Sequence, residues 1–285
     1  NVVFNHVPKA GEHIRRAGED VAPNAQILAA GARLRPQDTA FAASVGLATL
    51  PVLRRVRVAV FFTGDELRMP GEPLPPGAIY NSNRFALVAL LERLGCEVRD
   101  LGLVPDRLEP TRAALRAAAA DNDLIITSGG VSVGEEDHIK PAVEAEGRLD
   151  MWKIGIKPGK PLAFGAVTSG DKECAFIGLP GNPVSAFVTF LTLVRPFVLR
   201  LSGVDKVRPK SYLLRADYEW ARPDARREFL RALTNDEGGV ELFPSQGSGV
   251  LCSCVQADGL VDNPPGQAVA RGDLVRFIPF SELLN

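Results

Sequence analysis

The sequence predicts an α/β fold: a mainly parallel sheet covered by helices on both faces, followed by a small all-β domain and preceded by a partial N-terminal segment. Three observations carry this. From Val56 to about residue 206, short apolar runs alternate with segments of helical period. After Gly203 the pattern changes to short strand-like runs divided by Gly, Pro, Asn and Asp. Residues 1–55 hold too few large apolar side chains to build a core of their own. The expected domains are therefore 1–55, a remnant of a larger, incomplete N-terminal domain; 56–206, the α/β domain; and 207–285, the β-domain.

In the first segment, His6 to Asp20 is polar and aperiodic, and Asp20 taken by itself reads as a solvated turn carboxylate. Gln26 to Leu34 is expected to form a short strand and turn, and Pro36 to Leu47 a helix. Val56–Phe62 is apolar and β-branched, a buried strand. Asn83 is expected to cap a helix carrying Phe85, Leu87, Val88, Leu91 and Leu94, and Gly95 to stop it. Val98–Leu103 is the next strand, Pro110 opens a helix over Thr111–Ala120, and Leu124–Thr127 is the third strand. Ile139–Glu146 is a helix; Ala163–Phe164 and Ala175–Leu179 are strands. Asn182-Pro183 starts a long helix with Val184, Phe187, Val188, Leu191 and Val194 on one face. In the β-domain the strands are Tyr212–Ala216, Glu228–Leu233, Val240–Phe243, Val250–Cys254 and Leu274–Ile278. Asn235–Gly239 and Asp262–Gly266 are turns, and the architecture is a sandwich or barrel.

Composition narrows the function. The 285 residues carry 46% hydrophobic and 24% charged side chains, ordinary for a soluble globular protein of about two domains. A net charge of −1 and the lack of a basic-aromatic stripe argue against nucleic acid or an acidic membrane as partner. No apolar run is expected to reach the ~18 residues of a membrane span. No signal peptide is visible, in a chain that begins at Asn1 without methionine. Cys96, Cys174, Cys252 and Cys254 lack a metal or disulfide spacing, so the expectation is a reduced, cytoplasmic protein.

The chemistry gathers where strands of a parallel sheet end, the side on which open α/β sheets bind ligands. Thr63-Gly64-Asp65-Glu66 follows the first strand, Pro105-Asp106 the second, Ser128 to Asp137 the third and Pro180-Gly181-Asn182-Pro183 the last. The third loop, Ser128-Gly129-Gly130-Val131-Ser132-Val133-Gly134, is rich in backbone donors able to cradle a phosphate. The helix start at Asn182 adds its positive dipole end. Asp65, Glu66, Asp106 and Asp137 suit Mg²⁺, which takes one or two carboxylates with phosphate oxygens and water. Lys157 and Lys160, in Lys157-Pro158-Gly159-Lys160-Pro161, supply cations for an oxyanion. Ordinary βα turns with solvated charges give the same local patterns; the convergence of several loops on one edge is the stronger signal.

Known templates fail. Gly129 to Gly134 has Walker A spacing, but Glu135 and Glu136 stand where lysine and Ser/Thr belong. There is no G-x-G-x-x-G after the first strand and no G-x-S-x-G elbow. Of His6, His13 and His138, only His138 lies near these loops, where a helix-start surface residue is the simpler reading.

Together, TGDEL at Thr63–Leu67, SGGVSVGEEDHIK at Ser128–Lys140, KPGKP at Lys157–Pro161 and LPGNPVSA at Leu179–Ala186 resemble the signature segments of the molybdopterin molybdenumtransferases, the MoeA family that includes the E domain of gephyrin. GEDV at Gly18–Val21 and QGSG at Gln246–Gly249 extend the resemblance along the chain. The resemblance implies insertion of molybdate into adenylylated molybdopterin with release of AMP and with Mg²⁺ assisting, by elongated homodimers. It implies functional acids at Asp20, Glu66, Asp106 and Asp137, with Glu66 and Asp137 toward the metal, and active-site lysines at Lys153, Lys157 and Lys160. It implies loop-shaping prolines at Pro180 and Pro183, and a molybdate set of Ser185, Arg231 and Ser248 with Lys157 and Lys160. Thr63, Gly64, Asp65, the Ser128–Gly134 loop and Gly181-Asn182 are then nucleotide contacts, and the upstream adenylyltransferase is a candidate partner. The family's SxMDGYA-like segment has no counterpart here. Two other readings stand beside this one: an adenylyltransferase-like enzyme, and a non-catalytic scaffold that binds partner peptides.

Overall fold

The computed structural model describes residues 2–131 and 138–284. The chain divides into two compact units, Asn1–Val52 with Val204–Lys206, and Leu53–Gly203 with Val207–Asn285.

The first unit holds one helix, α1 (Pro36–Ser44). Pro36 sits in its first turn, where a missing N–H costs nothing, and Arg35 at the cap binds Asp38 through Nε and Nη2, both at 2.9 Å. The helix ends three residues before Leu47, because Gly46 turns out of it at a φ of 85°. The expected strand over 26–34 does not form. That segment has no pairing partner among the described residues, and its Ala29-Ala30-Gly31 centre makes a turn instead.

The second unit begins with β1 (Arg57–Phe62), the small ribbon strands β2 (Leu67–Arg68) and β3 (Ile79–Tyr80), then α2 (Ser82–Arg93), β4 (Glu97–Leu103) and α3 (Leu108–Ala119). It continues through β5 (Leu124–Ser128), α4 (Ile139–Glu146), β6 (Gly147–Lys153), β7 (Ile156–Lys157), β8 (Pro161–Ser169) and β9 (Lys172–Leu179). The main sheet has the order β4-β1-β5-β9-β8-β6. β4, β1, β5 and β9 run parallel; β8 lies antiparallel to β9, and β6, at the far edge, antiparallel to β8. Alternating residues of the central strands feed two cores. Val58, Val60, Phe62, Ile126 and Leu179 pack under α2 and the long helix that follows β9. Ala59, Phe61, Ile125 and Phe176 pack under α3 and α4. Helices on both faces of a mainly parallel sheet are the fold class expected from the sequence.

That long helix is α5 (Pro183–Thr189), a π-helical turn at Phe190–Val194, and α6 (Arg195–Leu201). The widened turn lies directly before Pro196, whose ring has no N–H to give and would crowd the carbonyl four residues back. By length and composition this helix could cross a membrane, contrary to the expectation of no such run. Most of it is buried within the protein, its apolar residues lying against the sheet.

The C-terminal part comprises β10 (Tyr212–Ala216), β11 (Arg227–Thr234), β12 (Gly239–Leu242), α7 (Cys252–Gln256), β13 (Gly259–Asn263), β14 (Leu274–Pro279) and α8 (Phe280–Leu283). The order β12-β10-β14-β13-β11 closes when β11 pairs with β12, which makes a barrel. Val250–Cys254 is not the expected strand. Ser253 and Cys254 donate their N–H groups locally to Val250 and Leu251, at 3.0 and 2.9 Å, and wind into α7. Asp262 and Asn263 are not a turn but the buried end of β13; Asp262 is paired with Arg227 at 2.5 and 2.6 Å. β7, two residues long, adds to the barrel sheet parallel to β11, with Ile156 opposite Arg227 and Lys157 opposite Glu228.

Candidate functional site

Register places four strand ends in one row. Phe62 of β1 faces Leu103 of β4 and Ser128 of β5, and Ser128 faces Leu179 of β9. The chain leaves all four strands on that edge, so Thr63–Glu66, Val104–Asp106, the start of the glycine loop and Pro180–Pro183 meet there.

Hydrogen bonds tie these loops together. Val104 N–H donates to the Phe62 carbonyl at 2.8 Å, and Gly129 N–H to the Leu179 carbonyl at 3.3 Å. Ser128 Oγ donates to the Pro180 carbonyl at 2.9 Å and accepts from Asn83 Nδ2 at 2.8 Å. Asn83 also donates to the Gly181 carbonyl at 2.8 Å. Asn83 is therefore a loop clamp; the cap of α2 is Asn81, whose Oδ1 accepts from Arg84 N–H at 3.2 Å. Ser128's hydroxyl is engaged inside the fold rather than held ready for a ligand. Gly129 is required where it stands. Its φ is 99°, and a Cβ there would enter the space of the Thr63 carbonyl.

Of the expected nucleotide contacts, Thr63, Ser128, Val131 and Pro180 are buried, while Asp65, Gly181 and Asn182 are exposed. Val131 packs in the core under α4, so any ligand contact it makes is through backbone. Thr63 Oγ1 is buried without a hydrogen-bond partner among the described residues, at the edge where the loops meet. Asn182 occupies the N-cap of α5, but its side chain makes no cap bond. Gly130 and Gly64 have positive φ and lie half-buried at the edge. Ser132, Gly134 and Asp137 lie outside the described residues.

Among the expected acids, Glu66 is exposed and its carboxylate lies over Gly64, where a Cβ would come within 2.7 Å of Oε2. Asp106 is half-buried just after β4. Asp20 is exposed in the first unit. No group of three metal-ligating side chains occurs among the described residues. The exposed carboxylate of Glu66 nevertheless fits the hard, oxygen-only chemistry of Mg²⁺ completed by ligand oxygens and water.

A second set converges where the barrel meets the long helix. Val184 N–H, in the first turn of α5, donates to the Ser248 carbonyl at 3.1 Å. This seats Ser248 against the turn that carries the buried Ser185. Arg231 of β11 is 1% exposed and donates from Nη2 to the neighbouring Gly247 carbonyl at 3.3 Å, from Nε to Ser253 Oγ at 3.2 Å and from Nη1 to the Phe229 carbonyl at 3.3 Å. All three acceptors are neutral, and burial lowers the guanidinium pKa. Ser185, Arg231 and Ser248 thus belong to one neighbourhood. No described contact brings Lys157 to them; it meets carboxylates instead, its Nζ lying 3.2 Å from Glu228 Oε1 and 3.4 Å from Asp224 Oδ2, and Glu228 and Arg231, on β11, face opposite sides of the sheet. Arg226 first, and Lys157 with it, hold the Asp224 carboxyl well below the ordinary range. Lys153 and Lys160 are exposed. The Lys157–Pro158 peptide is cis, and Gly159 beyond it packs against Thr189, leaving no room for a Cβ.

Sequence reasoning missed Asn83's clamp role, Glu228 and Asp224. An acid inside an alternating strand reads as an outward residue, and only the β7–β11 pairing reveals the contact. A separate cleft of about 460 Å³ on the barrel is lined by Tyr218, Trp220, Phe243 and Arg271, among others, and includes none of the expected site residues.

Comparison with known proteins agrees with this geometry. Residues 59–200 match the probable molybdopterin binding domain, 214–280 the MoeA C-terminal region (domain IV) and 1–46 the MoeA N-terminal region (domains I and II). The chain is 41% identical to a molybdopterin molybdenumtransferase of Haemophilus influenzae, over all of this chain and 71% of that protein. It is 39% identical to molybdopterin molybdenumtransferase 2 of Mycobacterium tuberculosis, over 93% of this chain and 66% of that one. A crystal structure of the molybdopterin biosynthesis MoeA protein from Pyrococcus horikosii superposes with a TM-score of 0.77 at 30% identity, covering 92% of this chain and 64% of that one. The chain thus spans about two thirds of the length of the relatives it matches. With this sheet, this barrel and these sequence matches, it belongs to the MoeA family of molybdopterin molybdenumtransferases.

Proposed function

We propose that the chain binds adenylylated molybdopterin along the shared edge of β1, β4, β5 and β9 and molybdate where the barrel meets α5, and that it transfers the metal to the dithiolene with release of AMP. The observation that carries this is the Val184–Ser248 hydrogen bond, which brings the loop held by Arg231 to the same helix start that follows β9. A tetrahedral dianion needs cations and hydroxyl or amide donors converging from different elements, and this is such a place.

The residues divide the work. Backbone N–H groups of the glycine loop and the N-terminus of α5 hold phosphate. The Asn83 clamp keeps the loops of β5 and β9 at a fixed spacing. Arg231, Ser185, Ser248 and Lys157 present the oxyanion, with Lys153 and Lys160 as exposed cations at its approach. Glu66, with Asp137, is the carboxylate pair for Mg²⁺, which when bound neutralises phosphate charge in the bond that releases AMP. An oxygen of water or of molybdate attacks the phosphoanhydride phosphorus as AMP leaves, so no protein nucleophile is needed. Asp20 and Asp106 are proposed as further functional acids. A homodimer, a cytoplasmic location and contact with the upstream adenylyltransferase complete the reading.

Titration calorimetry with adenylylated molybdopterin tests the first part. Micromolar or tighter binding that weakens in Asn83→Ala supports the sheet-edge site. Binding unaffected by that change places the nucleotide elsewhere, and no binding at all favours a scaffold role.

A further inference from the structure

Glu228 lies near the start of β11 and is fully buried, at 0% exposure. Acids are almost never buried to this degree unless something charged or hydrogen-bonding compensates them. One carboxylate oxygen is compensated by the barrel: Oε2 accepts from Trp220 Nε1 at 2.8 Å and from Asp224 N–H at 3.1 Å. The other, Oε1, has no aligned hydrogen bond among the described residues and stands 3.2 Å from Lys157 Nζ. The pairing of β7 with β11 puts Lys157 directly opposite Glu228, so the backbone itself fixes this approach. Asp224 also reaches the ammonium, at 3.4 Å, but both of its oxygens are taken by Arg226, each at 2.9 Å. Asp224 is thus shared between the guanidinium and the lysine, while the lysine is the cation closest to the unbonded oxygen of Glu228.

Lys157 itself is 41% exposed along its side chain. A lysine has three donors on a flexible four-carbon stem, and a free one samples many rotamers. Here one side of the ammonium faces a buried carboxylate and the other faces outward. Oε2 has a structural part, since an apolar residue at Glu228 would leave the Trp220 and Asp224 N–H donors without their acceptor; Oε1 has no such partner among the described residues of the barrel.

We propose that Glu228 is a positioning residue: from inside the barrel it fixes the ammonium of Lys157 so that its remaining donors meet the incoming oxyanion. This rests on the reading of Lys157 as an oxyanion ligand. Glu228 does not touch the anion; it acts through the lysine, and its own negative charge stays shielded from the anion by that lysine.

A double-mutant cycle on the full chain tests this, read as molybdate affinity by calorimetry with sulfate as competing anion. Glu228→Gln keeps an acceptor for Trp220 and Asp224 but removes the charge facing Lys157. The expected result is about tenfold weaker molybdate binding in Lys157→Ala and about fivefold weaker in Glu228→Gln, with less than about a twofold further loss when Glu228→Gln is added to Lys157→Ala. Glu228→Asp, which keeps the charge but withdraws it by one methylene, is expected to fall between parent and Glu228→Gln, and it serves where Glu228→Gln folds poorly. Equal losses from Glu228→Gln in both backgrounds, or none in either, overturn the proposal while leaving Lys157's role intact. An unchanged affinity in Lys157→Ala overturns the reading of Lys157 itself, and the proposal with it.

Discussion

Asn83 Nδ2 donates to Ser128 Oγ across 2.8 Å, and the same nitrogen reaches the Gly181 carbonyl, also at 2.8 Å. One amide at the start of α2 therefore sets the distance between the loop after β5 and the loop after β9. Asn83→Ala removes both bonds, leaving the buried Ser128 hydroxyl with only the Pro180 carbonyl and the exposed Gly181 carbonyl to water. Urea unfolding is expected to show a loss of about 1–3 kcal/mol. Asn83→Asp is expected to do no better, because a carboxylate cannot donate to the Gly181 carbonyl.

Gly129→Ala is expected to be costly. The backbone there has a φ of 99°, and the new methyl meets the Thr63 carbonyl. Gly71 is the comparison: its φ is 95°, but nothing lies within 4 Å of a Cβ. Gly71→Ala carries only the backbone strain, of order 1 kcal/mol, and Gly129→Ala the strain plus the clash. Thermal melting of the two variants should separate them clearly.

How much of this could be read from the chain depends on the residue. β1 and β5 are legible because their apolar, β-branched runs are bounded by polar turns, and the converging loops follow from a parallel order. β6 is not, because Gly147–Lys153 is an edge strand with charged, largely exposed residues and carries no apolar run. Asp262 and Asn263 read as turn formers, yet one pairs with Arg227 and the other donates to the Gln267 carbonyl at 3.0 Å, and both are buried on β13. Local composition cannot show a partner 35 residues away. Asn83 was singled out as a cap; its type and place were visible, but its partners at Ser128 and Gly181 exist only once β5 and β9 are neighbours.

Arg231 offers a test in which stability and binding move differently. It is a buried cation whose described hydrogen-bond partners are neutral. Replacing it by an apolar side chain of similar volume removes the cost of burying a charge, which offsets the loss of three hydrogen bonds to neutral acceptors. Arg231→Met is expected to stay within about 1 kcal/mol of the parent or to exceed it in chemical unfolding, while molybdate affinity falls by tenfold or more.

Thiol chemistry should distinguish the four cysteines. Cys252 is exposed and the other three are buried. Burial pushes the Cys174 thiol up to about 12, so it stays protonated at neutral pH. Iodoacetamide at pH 7.5 is expected to alkylate Cys252 first, and Cys96, Cys174 and Cys254 only on unfolding. Mass spectrometry of time points reads the order.

Asp217 carries an acid-side prediction. Arg215 binds it at 2.8 and 3.0 Å and Asn235 at 2.8 Å, which lowers its carboxyl from 3.8 to about 2. The folded protein therefore binds this proton more weakly than the unfolded chain. The contribution is present above about pH 4 and is lost as pH falls toward about 2. Asp217→Asn should flatten the pH dependence of stability in that window and leave its slope near pH 7 unchanged. Added salt should shrink the difference, since the pair is solvent-accessible.

The central claim is that the sheet edge and the barrel wall form one site. It is tested most directly by AMP release from adenylylated molybdopterin with Mg²⁺, with and without molybdate, in the parent chain, Asn83→Ala and Arg231→Met. The account predicts molybdate-dependent release by the parent, a raised requirement for nucleotide in Asn83→Ala and a raised requirement for molybdate in Arg231→Met. Release that is indifferent to molybdate, or unaltered by both substitutions, would contradict it.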